Sequence, residues 1–120
     1  MDTDTKVDIV KLKLDFIKRI LTDTAGDEVR EEYFTTNQFP TEDIMVQIIN
    51  SPISEIQYEG LAPHCITPHC HTMIGMRRLN NLHSSLDHIM EKKIQGDFIE
   101  TGVWRGGACF SVKKYFDLYG

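Results

Sequence analysis

The chain has 120 residues, enough for one ordinary domain and too few for two. Its 41% hydrophobic and 26% charged content suits a folded globular chain rather than a disordered one, and no apolar run approaches the ~20 residues of a membrane span. A net charge of −5, from 13 Lys and Arg against 18 Asp and Glu, argues against sequence-independent nucleic-acid binding, which needs a basic face.

In chain order, Met1-Asp2-Thr3-Asp4-Thr5 is acidic and polar, unlike the basic and then apolar start of a signal peptide. The expected compartment is the cytoplasm. Residues 8–22 carry Ile9, Leu12, Phe16, Ile17, Ile20 and Leu21 at the spacing of an amphipathic helix. That places Lys11, Lys13, Asp15, Lys18 and Arg19 largely outside. The turn-rich stretch Thr22 to Asp27 ends the helix, and the charged then aromatic residues 28–39 have no clear assignment. Thr41, followed by Glu42 and Asp43, suits a helix start. Ile44 to Ile49 would be that helix, although its β-branched content also allows a strand.

Asn50 to His71 holds three of the four prolines and reads mainly as a long loop. Residues 72–94 predict a helix capped by Thr72, with Met76, Leu79, Leu82, Leu86, Ile89 and Met90 as its apolar stripe and Gln95-Gly96 as its end. A short strand, Asp97–Glu100, then leads through a glycine turn into a final helix from about Ala108 to Tyr119. The basic pairs Arg77-Arg78, Lys92-Lys93 and Lys113-Lys114 read as solvated helix faces. The sequence has no internal repeat.

The run Phe98-Ile99-Glu100-Thr101-Gly102-Val103-Trp104-Arg105-Gly106-Gly107 carries the clearest chemistry. A strand that ends on an acid, turns through glycine and opens a helix is how α/β proteins cradle a nucleotide-like cofactor. Gly102 tolerates a tight turn and a close ligand. The free N–H groups at the helix start favour a negatively charged ligand group. The pattern lacks the full G-x-G-x-x-G. It also lacks the Lys-Ser/Thr of a P-loop, which argues against triphosphate hydrolysis. A plain strand–turn–helix without ligand remains an alternative. The acid that holds a cofactor ribose falls about 20 residues beyond the glycines, and counting on from Gly102 passes Gly120.

Two blocks, His71 to Leu82 (HTMIGMRRLNNL) and Gly96 to Ala108 (GDFIETGVWRGGA), agree in order and spacing with a known family. Over residues 71–120 the chain resembles the macrocin O-methyltransferase (TylF/MycF) family, while residues 1–70 match it only as a helical N-terminal region. The resemblance implies an α/β fold: N-terminal helices, then the first strand and helix of an incomplete Rossmann-like methyltransferase sheet. It divides the chain into a helical region with a long loop, residues 1–70, and the start of an S-adenosylmethionine-binding domain, residues 71–120. It implies O-methylation of hydroxyls on sugar-containing natural products, with S-adenosylmethionine and a divalent metal such as magnesium.

By position, the resemblance implies that Thr72 and Met73 flank the cofactor and that Glu100, Thr101, Gly102, Val103 and Trp104 line its methionine end. Arg105, Gly106 and Gly107 would shape the turn. An acid suits the ammonium, and backbone amides suit the carboxylate. A Trp104 face within about 6 Å would favour the sulfonium. The family's metal ligands and ribose-binding acid match no residue here. The isolated chain is therefore not expected to catalyse methyl transfer.

His64, Cys65, His69, Cys70 and His71 form a second cluster. Its composition suits zinc, but its spacing is not that of two separated ligand pairs. With Cys109 the cysteine count is three, an odd number that favours reduced thiols. His83 and His88 read as surface histidines. Met73, Met76 and Met90 read as core filling, apart from the cofactor role implied for Met73. Ser84 and Ser85 lack a base at a recognisable spacing. Two further readings remain: a non-enzymatic module that self-associates or pairs with a complementing chain, and a small zinc-binding protein.

Overall fold

Phe16, Ile17 and Ile20 are completely buried at the centre of the molecule, and Leu21 nearly so. Burial of each such side chain is worth about 1.5–3 kcal/mol, so the second half of this one helix organises the rest. The computed structural model describes residues 3–55, 58, 75–96 and 107–119, with side chains from Ile9 onward. Its helices are α1 (Thr3–Leu21), α2 (Asp27–Thr36), α3 (Glu42–Ile49), α4 (Gly75–Glu91) and α5 (Gly107–Tyr119). Helix α1 packs on α3, α4 and α5, and α4 also packs on α5.

Two apolar clusters result. One joins Phe16, Ile17, Ile20 and Leu21 to Tyr33, Met45, Ile48 and Leu79. In it the Phe16 ring meets Tyr33 edge-on at 5.8 Å and Phe39 at 6.0 Å. The other joins Leu14, Leu86, Val112 and Tyr115.

The α/β expectation is corrected by this architecture. Among the described residues all regular structure is helical and no strand is present. The strand expected over Asp97–Glu100 lies outside them. A β-strand needs a neighbouring strand for its N–H and C=O groups, whereas here helix packs on helix to bury the apolar surface.

The helix ends show where local chemistry decides. At the close of α1, Asp23 takes a left-handed φ of 57°, and Thr24 N–H bonds Arg19 O at 2.9 Å. Helix α4 stops the same way at Lys93, with φ 55° and Ile94 N–H on Ile89 O at 3.1 Å. Such a 6→1 bond over a left-handed residue satisfies the last carbonyls of a helix. The end expected at Gln95-Gly96 is therefore reached earlier, on a lysine. Thr41 does occupy the cap position of α3, but its side chain makes no capping bond.

Helix α2, unassigned from sequence, starts at Gly26, whose φ of 96° favours glycine. Its buried Arg30 binds Asp23 at 2.9 Å and Asp27 at 2.8 Å.

Two charged residues expected outside α1 are buried. Lys18 is 7% exposed and Arg19 5%. Towards the end of α1 the face opposite the apolar stripe meets other chain segments, while Lys11 stays exposed. Arg19 donates to Thr24 O (3.0 Å), Thr24 Oγ1 (2.7 Å), Ile49 O (3.2 Å) and Ser51 O (3.2 Å). It thereby ties α1 to the end of α3. Of the predicted α4 stripe, Met76, Leu79 and Leu86 are buried, while Met90 is 41% exposed.

Candidate functional site

Gly107 is the first residue of α5 and is buried. The first turn of α5 carries no acidic side chain, so no carboxylate of that turn offsets the positive end of the helix. A ligand carboxylate suits such a place, because unpaired N–H groups and the helix dipole both favour negative charge. Thr72, Met73, Glu100, Thr101, Gly102, Val103, Trp104, Arg105 and Gly106 lie outside the described residues. So do His64, Cys65, His69, Cys70 and His71.

Two polar bridges join α4 to α5. His83 Nε2 shares a hydrogen bond with Ser111 Oγ, and the Tyr115 hydroxyl donates to Asp87 Oδ1. Both pairs are 28 residues apart, and both partners advance by four from the first bridge to the second. The two helices therefore run in the same direction, with Gly75 and Gly107 at the same end of the pair. Eight residues separate Gly75 from His83 and four separate Gly107 from Ser111. At a rise of about 1.5 Å per residue the two starts are offset by roughly 6 Å.

His83 corrects the surface reading. It is 5% exposed and Ser111 is 0% exposed. Its ring lies edge-on to Tyr115 at 5.4 Å, and its Nδ1 is buried without a hydrogen-bond partner. Burial first, and the Lys18 ammonium second, lower its pKa from 6.5 to about 4. His88 is exposed, as expected. The sequence did carry a signal for His83. It falls four residues after Leu79 and three before Leu86, on the apolar stripe itself.

A cleft of about 700 Å³ opens between α1, α4 and α5, lined by Lys18, His83, Asp87 and Tyr115 together with the apolar Leu14 and Met90. Lys18 Nζ donates to Asp15 Oδ1 at 3.2 Å and to Asn80 Oδ1 at 3.0 Å. Burial lowers the Lys18 pKa, and the Asp15 carboxylate partly opposes that. Burial and the bond to Asp87 raise the Tyr115 hydroxyl above its usual range.

His83 and Ser111 are not a hydrolase pair, because a Ser111 Oγ with no exposed surface cannot reach a substrate. Among the described residues no group of three His, Cys, Asp or Glu side chains could hold a metal ion. No described helix is long and apolar enough to cross a membrane.

The profile of the family described as Macrocin-O-methyltransferase (TylF) matches residues 10–120. The chain belongs to this family. It is 49% identical over 49 residues to mycinamicin III 3''-O-methyltransferase of Micromonospora griseorubida, covering 41% of this chain and 19% of the relative. It is 46% identical over 43 residues to demethyldecarbamoylnovobiocin O-methyltransferase of Streptomyces niveus, covering 36% and 16%. A third relative, from Streptomyces olivaceus, is named as a 4'-O-methyltransferase of a rhamnosyl-bearing tetracenomycin C. It is 38% identical over 50 residues, covering 42% of this chain and 19% of the relative. The matched segments thus span less than a fifth of these curated relatives. No solved structure matches the chain.

Proposed function

We propose that the protein is an S-adenosylmethionine-dependent O-methyltransferase acting on a hydroxyl of a sugar-bearing natural product. In this reading the chain supplies the part of the site that holds the methionine end of the cofactor. One observation carries the proposal: the family match over residues 10–120, joined to relatives named as O-methyltransferases of mycinamicin III and of a rhamnosyl-bearing tetracenomycin C. It also disfavours the zinc-binding and non-enzymatic readings.

The chemistry of the residues suits the group. Glu100 would accept from the ammonium of the cofactor, and the amides at Gly106 and Gly107 would receive its carboxylate. The acid-free first turn of α5 supports that last assignment. Thr72 and Met73 would flank the same end, and Thr101, Gly102, Val103 and Trp104 would line it. Arg105 would shape the turn. When bound, S-adenosylmethionine supplies an electrophilic methyl group on a sulfonium. A Trp104 ring within about 6 Å would favour that cation by its negative face.

Transfer needs an acceptor oxygen held close to the methyl group and in line with it. The 120 residues alone are not expected to provide that alignment. Irradiation of the chain with methyl-labelled S-adenosylmethionine tests the site. Label should fall on a peptide within residues 97–107 and be blocked by S-adenosylhomocysteine. Label spread over the chain, or unaffected by the competitor, would refute the assignment. Methylated product from the chain and a glycosylated macrolide would refute the expectation of no turnover.

A further inference from the structure

We infer that His83 is a positioning residue for the proposed cofactor site: through Ser111 it sets where α5 begins, and so where Gly107 presents the helix end. This inference rests on the methyltransferase reading above. Ser111 is fully buried and His83 is 5% exposed at the edge of the cleft, and the bond between them is the one that serves both side chains. Ser111 lies one helical turn from Gly107, about 6 Å along the axis.

The second bridge, Asp87 to Tyr115, repeats the first one turn further along. Sliding α5 against α4 by one turn, about 5.4 Å, would break both bridges. A slide that brings Gly107 opposite His83 would also leave both ring nitrogens unpaired.

Stability alone does not account for this histidine. Leu79 and Leu86 occupy the same stripe of α4 and are both buried. A leucine at position 83 would pack there without the cost of a buried, unpartnered Nδ1. What the histidine adds is a directional bond that only one register satisfies, a role known for some buried polar groups. The charged and titratable groups around it are Lys18 and Asp15 from α1, Asp87 from α4, and Tyr115 and Tyr119 from α5.

The test compares the 120-residue chain with H83Q, H83L, S111A and Y115F. H83Q keeps a polar group within reach of Ser111, whereas H83L and S111A each remove one side of the bond. Y115F removes the other bridge, one turn further from Gly107. The readouts are S-adenosylmethionine affinity by equilibrium dialysis, the Gly107 amide resonance in the unliganded chain, and the thermal midpoint.

H83L and S111A should weaken binding tenfold or more and move the Gly107 resonance. H83Q should stay within threefold of the parent and leave that resonance in place. Y115F should lose less affinity than S111A at an equal loss of thermal midpoint. A Gly107 resonance and an affinity unchanged in H83L and S111A would overturn the inference and leave the methyltransferase reading intact. Affinity losses that merely track the thermal midpoint in all four variants would also overturn it. Absence of binding by the parent chain would overturn the methyltransferase reading and this inference with it. If H83L does not fold, S111A, which removes a single oxygen, carries the test.

Discussion

His83 on α4 and Ser111 on α5 meet through a hydrogen bond at a buried point, with Ser111 fully enclosed and His83 5% exposed. The bond suits a neutral imidazole. A protonated ring would place a charge in a buried site beside Lys18, with an N–H at Nδ1 that has nothing to bond.

That relationship predicts a pH dependence. The folded pKa of His83 is lowered to about 4 from 6.5. The unfolded chain therefore takes up a proton that the folded chain resists, and stability falls as pH drops below 6.5 towards 4. Between pH 7 and pH 5 the loss is about 2 kcal/mol from this group. Urea unfolding of the parent and H83Q at both pH values measures it. The parent should lose that much more than H83Q, and equal losses would remove His83 as the cause.

The central position of α1 predicts uneven sensitivity along the chain. Ile17→Ala and Ile20→Ala remove side chains that are 0% exposed, and each should cost about 2–5 kcal/mol. That is a large share of the roughly 5–15 kcal/mol typical of a domain. Ile44 on α3 is 41% exposed, and Ile44→Ala should change stability by less than about 1 kcal/mol. Chemical unfolding ranks the three variants. A similar cost at position 44 would contradict the packing described.

Arg19 predicts a third effect. Its guanidinium serves carbonyls at Thr24, Ile49 and Ser51 at once. Arg19→Met should cost about 2–3 kcal/mol. Arg19→Lys should recover only part of that, because a point charge cannot replace a planar fork. Limited proteolysis after residue 49 should quicken in both variants, and unchanged cleavage would show that Arg19 does not hold the end of α3.

Much of the helical frame was legible because it rests on periodicity. Phe16, Ile17 and Ile20 in α1, and Met76, Leu79 and Leu86 in α4, fall on their stripes and are buried. Helix α2 was not legible, since its ten residues carry few apolar side chains and it is held by the Arg30 ion pairs across the turn. The same kind of tertiary pairing put Lys18 and Arg19 inside, against their polarity. His83 was misread because residue type outweighed its place between Leu79 and Leu86. The fold class was misread because a short apolar run next to glycines suggested a strand, while the described core is built from helices alone. Of the candidate site, Gly107 is the residue that falls among those described. The remainder rests on the resemblance.

Calorimetric titration of the 120-residue chain with S-adenosylmethionine tests the central claim most directly, with ATP as the comparison. Saturable one-to-one binding of S-adenosylmethionine is expected, with competition by S-adenosylhomocysteine and no saturable heat with ATP. No binding of S-adenosylmethionine, or equal binding of ATP, would contradict it.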